Sequence, residues 1–199
     1  MMGNQSGGNT TVSLAPDELE VTLTEAITGD EDAFTKIWQH LNSRLSKYVA
    51  TQCYGSNLDS EGILSETWIS VAKDISKFKG DFIQFKGWIY KIARNRIVDA
   101  VRKESRQVKS GGDITEYEFE DSKSKADSNI EADESVKKII AQIKELPKAQ
   151  AEVIMLRIVG DLEVNEVARI LDKSENTIRV LSHRGLETLR SQLRRDEIE

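Results

Sequence analysis

The sequence predicts an all-α protein made of two small helical domains joined by a flexible acidic linker. Three observations carry this reading. Apolar residues recur at three- and four-residue steps in successive segments, no strand-like alternation of comparable strength appears, and acids and bases are sorted along the chain. A length of 199 residues allows one domain or two small ones. Hydrophobic residues make up 38% and charged residues 31%, which excludes a membrane protein and a wholly disordered one. No stretch approaches the roughly 18 apolar residues a spanning helix needs. The start lacks the basic and apolar segments of a secretory leader, so a cytoplasmic protein without membrane insertion is expected.

Residues 1–15 are polar and Gly-rich and read as a disordered tail. Pro16 suits the first position of a short helix and Gly29 its C-terminal cap. Asp30 then caps a long amphipathic helix carrying Phe34, Ile37, Trp38, Leu41, Leu45, Tyr48 and Val49. A second long helix begins near Ser60, with Leu64, Trp68, Val71 and Ile75 on one face. A third runs from Trp88 to Lys103 with Ile89, Ile92, Ala93, Ile97, Ala100 and Val101 inward. Between these two, residues 78–85 read as a loop in which three aromatics crowd around Gly80. Residues 16–106 thus form the first domain, and the Gly, Ser, Asp, Glu and Lys mixture over 107–135 forms the linker.

The second domain covers residues 136–195. A helical period runs from Val136 to Leu146, Pro147 opens the next helix and Gly160 closes it. A short helix over Glu163–Leu171 is followed by Asp172, Lys173 and the N-cap Ser174 of a longer basic helix ending near Arg195. Short helix, tight turn and longer basic helix is the helix-turn-helix arrangement. At 100° per residue, Glu175, Asn176, Arg179, Ser182, His183 and Leu186 share a face opposite Ile178, Leu181, Gly185 and Leu189. His183 is either a DNA contact or an ordinary surface histidine.

Charge supports a nucleic-acid partner that the net value of −6 would hide. The linker, from Gln107 to Ser135, holds nine acids against three lysines, and the first 40 residues are also net −6. Lys91–Arg106 and Lys173–Arg195 are each net +4. Either run taken alone could be a solvated helix face. Catalytic chemistry has little to work with. Cys53 is alone and reads as a small buried hydrophobe, and His40 and His183 lie in separate helices. No metal site, cofactor loop or catalytic triad is expected.

Two stretches then carry a family resemblance. Gly29-Asp-Glu-Asp-Ala-Phe34 and Phe85-Lys-Gly-Trp-Ile-Tyr-Lys-Ile-Ala-Arg-Asn-Arg-Ile-Val-Asp-Ala100 resemble region two of the extracytoplasmic-function sigma factors of bacterial RNA polymerase, in the sigma-70 family. Leu146-Pro147 and the helix-turn-helix ending in Thr177-Ile-Arg-Val-Leu-Ser-His-Arg184 resemble region four. The resemblance spans about 26–193, in the order of the family and with a linker where larger members have region three.

It implies a non-enzymatic factor that binds core polymerase, at the beta-prime clamp and the beta flap, and directs promoter recognition, melting and transcription initiation. Control by a separate anti-sigma partner is expected. The implied minus-ten contacts are Lys79, Gly80, Asp81, Phe82, Gln84, Lys91, Asn95, Arg102 and Arg106, with Phe78, Phe85 and Trp88 either base-stacking rings or core. The implied minus-thirty-five contacts are Glu175, Asn176, Thr177, Arg179, Ser182, His183 and Arg184. Glu61, Leu64, Glu66 and Trp68 are the implied polymerase contacts. There the chain has Glu61-Gly-Ile-Leu-Ser-Glu66 where family members commonly have Glu-Asp-Leu-Val-Gln-Glu. The acidic linker is expected to follow the positively lined polymerase channel later taken by RNA. A stand-alone helix-turn-helix regulator would need only Val136–Arg195 and would leave Gly29–Arg106 unexplained; a helical adaptor would leave both basic helices unexplained.

Overall fold

Helix α1 (Pro16–Ile27) starts where Pro16 needs no N–H partner, and the Glu18 carboxylate reaches back to the Ala15 N–H at 2.9 Å. The computed structural model describes residues 14–110 and 134–196. The tail to residue 13 and linker residues 111–133, with Glu116, Glu118, Glu120 and Asp121, lie outside the described residues.

Gly29, at φ +103°, turns the chain out of α1 in a conformation a side chain would resist. Asp30 immediately caps α2 (Glu31–Cys53), its Oδ1 accepting the Ala33 N–H at 2.8 Å. The resulting helical hairpin buries Leu19, Leu23 and Ala26 against Ile37, Leu41 and Leu45. Helix α3 (Ser60–Asp74) is capped by Asp59 through the Gly62 N–H at 2.9 Å. It turns through a short 3-10 segment, Ile75–Lys77, into α4 (Phe82–Ser110). Helix α4 is longer at both ends than its apolar period predicts. Its first turn takes in Phe82, Gln84 and Phe85, which the sequence places in a loop, and its last reaches past the expected linker start at residue 107.

The second half comprises α5 (Glu134–Glu145), α6 (Lys148–Ile154), α7 (Val164–Leu171) and α8 (Glu175–Asp196). The expected single helix from Pro147 to Gly160 instead widens into a π turn at Met155–Val159. The Gly160 N–H reaches back five residues to the Met155 carbonyl at 3.0 Å. Asp172, at φ +52°, ends α7, and Ser174 opens α8 by accepting the Thr177 N–H at 3.2 Å. Helices α6 and α8 cross closely. A Cβ on Gly185 would stand 2.9 Å from Ile154 Cγ1. Among the described residues no strand occurs.

The two halves pack on each other through α4 against α7 and α2 against the π turn. The Tyr48 and Tyr90 rings meet at 5.3 Å, and the buried Tyr90 hydroxyl donates to the Gly160 carbonyl at 3.0 Å. A Cβ on Gly160 would meet Tyr90 Cε1 at 3.0 Å and the Leu156 carbonyl oxygen at 2.6 Å, so this approach needs a glycine. Lys86 Nζ lies 2.8 Å from Glu166 Oε1, Arg94 Nε 2.5 Å from Glu152 Oε1, and Arg44 Nη1 2.8 Å from Asp161 Oδ2. Lys144 of α5 donates to the Gln52 carbonyl at 3.1 Å and to the Tyr54 carbonyl, placing its ammonium at the negative end of α2. That partial burial lowers the Lys144 pKa.

Candidate nucleic-acid interface

Four outward groups of residues have the chemistry to bind a partner. The first is the turn entering α4. Its lower end is fixed by the Phe78 N–H on the Ile75 carbonyl at 2.9 Å. Its upper end is a reciprocal cap: Asp81 Oδ1 accepts the Gln84 N–H at 2.7 Å and Gln84 Oε1 accepts the Asp81 N–H at 3.2 Å. Gly80, at φ +152°, lies so close that a Cβ would meet Gln84 Oε1 at 2.2 Å and Phe78 Cζ at 3.1 Å. Beneath it Phe78, Phe85 and Trp88 form a cluster with ring separations of 5.2–5.7 Å. Phe85 is wholly buried, whereas Phe78 and Trp88 are half-buried.

The second group is the outer face of α4, where Lys91, Asn95, Arg102 and Arg106 are exposed and lie within 60° of one another at 100° per residue. Arg102 leans on Asp99 at 3.6 Å, an exposed pair of little energetic weight. The third is the start of α8, where Glu175, Asn176, Thr177, Arg179, His183 and Arg184 are exposed. Arg179 Nη2 and Glu175 Oε2 hold each other at 2.7 Å, and His183 Nδ1 faces Glu187 Oε2 at 3.4 Å. The fourth is the outer side of α3, carrying Glu61, Ser65, Glu66 and Ile69.

Family models match the segments that carry these groups. The model described as Sigma-70 region 2 matches residues 32–107, and that described as Sigma-70, region 4 matches 137–189. SigW of Bacillus subtilis, an extracytoplasmic-function RNA polymerase sigma factor, is 30% identical over 177 residues, 83% of this chain and 91% of SigW. The chain belongs to the extracytoplasmic-function sigma factors. BldN of Streptomyces coelicolor is 29% identical over 164 residues, 81% of this chain but 60% of BldN. In fold, the chain is similar to CnrH, solved in complex with the cytosolic domain of CnrY, with a TM-score of 0.63 at 16% identity over 89% of this chain and 97% of CnrH.

Within this sigma factor the two expected helical regions and the helix-turn-helix are present, and several of the residues picked from sequence are not where a partner could reach them. Phe82 is 7% exposed and packs on Phe85 and His40, so it is core rather than pocket rim. Trp68 is likewise 7% exposed, with its indole N–H on Asn42 Oδ1 at 2.9 Å and its ring edge-on to Phe34. Its place in the expected docking stripe falls to Ile69, 52% exposed, one position along. Leu64 is half-buried against the core. The Ser182 hydroxyl is buried and Leu186 packs inward, so α8 presents a narrower outer face than the 100° step gives.

The remaining candidates, Lys79, Gly80, Asp81, Gln84, Lys91, Asn95, Arg102, Arg106, Glu61 and Glu66 in region two and Glu175, Asn176, Thr177, Arg179, His183 and Arg184 in region four, are exposed. Sequence reasoning missed Ile83, 47% exposed beside Gln84. Arg94 and Arg96 also enter the net +4 of residues 91–106 but are already engaged inside the fold. Arg94 is held by Glu152, and Arg96 by Glu66 and the Ser70 hydroxyl, both at 2.5 Å. A run of alternating charge cannot show which cations already have partners inside the fold.

Burial, opposed in part by Lys144, pushes the Cys53 thiol up to about 11, which makes it a poor nucleophile. Among the described residues no cluster of three or more His, Cys, Asp or Glu could hold a metal. Among them too, no helix is long and apolar enough to cross a membrane.

Proposed function

We propose that this sigma factor divides promoter recognition between its two halves. The Lys79–Gln84 rim and the outer face of α4 hold the melted minus-ten strand, and the exposed start of α8 reads the minus-thirty-five duplex. The observation that carries this is the pairing of two exposed polar-basic faces with two different supports. One sits over half-buried aromatic rings, suited to an unstacked base; the other is a bare helix end on a helix-turn-helix, suited to a major groove. A base stacked on an aromatic gains roughly 1–3 kcal/mol, comparable to the few kcal/mol of extrusion. Arg179 and Asn176 are the base readers, through bidentate hydrogen bonds to guanine and adenine.

The outer side of α3, with Glu61, Glu66 and Ile69, docks on the clamp of core polymerase. Exposed Val136, Ile139 and Ile158 offer region four an apolar anchor for a second polymerase contact. A groove of about 410 Å³ between the regions, where Arg102, Lys144 and Lys148 surround Ile97, Val98 and Met155 beside the Arg94–Glu152 pair, suits an amphipathic acidic segment of an anti-sigma protein. The acidic linker follows the polymerase channel as a polyanion.

The test is reconstitution. Core polymerase with the full chain is incubated with a pool of randomised duplex DNA, bound molecules are recovered, and the enriched sequence is transcribed. Enrichment of two blocks about two helical turns apart, with transcripts that depend on the chain, is expected. Enrichment without core polymerase, or of a single block, would instead make the chain a stand-alone regulator.

A further inference from the structure

A carboxylate from the first helix sits on the first N–H of α4. Both Glu20 oxygens accept the Phe82 N–H, at 2.9 and 3.1 Å, across 62 residues of sequence. Helix starts carry unpaired N–H groups and partial positive charge, so a carboxylate there makes a charge-assisted hydrogen bond. The Asp81–Gln84 cap satisfies the N–H of Gln84 but cannot reach that of Phe82. Glu20 therefore completes the cap from another element and ties α1 to the turn.

The placement matters because of what lies next to it. The turn is anchored at Phe78 on one side and at Asp81–Phe82 on the other, leaving Lys79 and Gly80 between fixed ends. Lys79, Gly80, Asp81 and Gln84 are the rim of the minus-ten pocket. Without the tie, the first turn of α4 would fray, and ordering the rim would be charged against base capture at the moment of melting.

We propose that Glu20 is a positioning residue for promoter melting, holding the Phe82 amide so that the Lys79–Gln84 rim is formed before the strand arrives. This rests on the reading of that rim as the minus-ten pocket. Glu20 itself needs no contact with DNA.

The experiment compares Glu20→Ala and Glu20→Gln with the unaltered chain. Amide exchange of the free full-length chain is read over residues 76–84. Glu20→Ala should expose the Phe82 amide, and Glu20→Gln, which keeps an acceptor oxygen, should retain part of the protection. In holoenzyme on the promoter enriched from the randomised pool, with 2-aminopurine in the minus-ten block, Glu20→Ala should slow opening by about tenfold or more, the loss expected for one charge-assisted hydrogen bond. On the same promoter with that block pre-melted by mismatches, the deficit should shrink to about twofold, because capture no longer competes with duplex re-formation. Affinity for core should be unchanged, and Glu20→Gln should rescue part of the rate.

Unchanged Phe82 exchange would overturn the proposal. So would an equal deficit on duplex and pre-melted templates, or a slowed rate matched by an equal loss of core affinity, which marks damage to α1 packing. If the exchange result holds and the unaltered holoenzyme enriches no minus-ten block, the reading of the rim has failed, and the inference for melting falls with it.

Discussion

Tyr90→Phe removes one oxygen from the seam between the two regions and leaves everything else of that side chain in place. Tyr90 is 2% exposed, and its hydroxyl is 3.0 Å from the Gly160 carbonyl oxygen. The ring contact with Tyr48 at 5.3 Å survives in phenylalanine. What is lost is one buried hydrogen bond, and what remains is a carbonyl in an apolar seam. A net bond is worth about 1 kcal/mol, and an unsatisfied buried acceptor costs about 1–3 kcal/mol, so a loss of roughly 1.5 kcal/mol is expected. For a chain of this size that lowers Tm by roughly 3–6 °C. Arg44→Ala is the matched control. Its ion pair with Asp161 also crosses the seam, but both side chains are about 60% exposed, and its loss should cost less than about 1 kcal/mol.

The assay is urea and thermal unfolding with amide exchange. Exchange should rise together in α4 and in the π turn of Tyr90→Phe, since the bond belongs to both. Alkaline pH gives an independent readout. Burial, reinforced by neighbouring Tyr48, raises the Tyr90 pKa above its usual range. A group whose folded pKa is raised keeps its stabilisation below the unfolded value of about 10 and loses it as pH climbs toward the folded value. The unaltered chain should therefore lose stability above about pH 10 more steeply than Tyr90→Phe. Equal losses from Tyr90→Phe and Arg44→Ala, or exchange confined to one region, would refute the reasoning.

Arg179→Ala should cost about 1–3 kcal/mol at one base pair of the minus-thirty-five block, measured by competition among single-position promoter variants; a uniform loss at every promoter would make Arg179 a phosphate contact. Glu66→Lys should weaken co-purification with core polymerase while costing about 1 kcal/mol or less of stability, because Glu66 is 64% exposed although it holds Arg96; unchanged co-purification removes it from the interface. Cys53, 4% exposed, should be alkylated slowly at pH 8 and more slowly still in Lys144→Ala, which removes the ammonium that opposes the upward push on the thiol; a faster rate would mean that opening of the end of α2 outweighs the loss of thiolate.

The features that were legible in the sequence are local ones. Pro16, Gly29, Asp30 and Ser174 act within three or four residues of themselves, so the punctuation of α1, α2 and α8 could be read directly. The start of α4 could not. Three aromatics around Gly80 have no clear period and obscure the local Asp81–Gln84 cap, while Glu20 adds a bond to the Phe82 N–H from 62 residues earlier. The π turn was hidden for a related reason. Met155–Val159 is almost wholly apolar, and its register follows from Gly160 being pressed against Tyr90 of the other region. The candidate faces were half legible. Helical stepping placed Lys91, Asn95, Arg179 and His183 outward, but it fixes direction and not cover. Trp68, Phe82 and Ser182 point toward elements whose position the sequence does not give.

That same limit bears on charge. Of the cations on α4, Lys86 and Arg94 face region-four acids, Arg96 faces Glu66, and Arg179 on α8 faces Glu175. These pairs are not equivalent. Arg179 and Glu175 are both about half-exposed, and DNA can displace such a pair at little cost. Glu166 is 2% exposed, and one of its oxygens also takes the Glu163 N–H at 2.6 Å. Its carboxylate gives up hydration to sit there, and contact with Lys86 returns most of that cost without a large surplus. The pair therefore adds little net adhesion between α7 and α4, which burial of Tyr48, Tyr90 and Leu156 supplies instead. The Arg179–Glu175 pair thus lies at the surface of α8, whereas Lys86 and Arg94 are engaged by acids across the seam between the two halves.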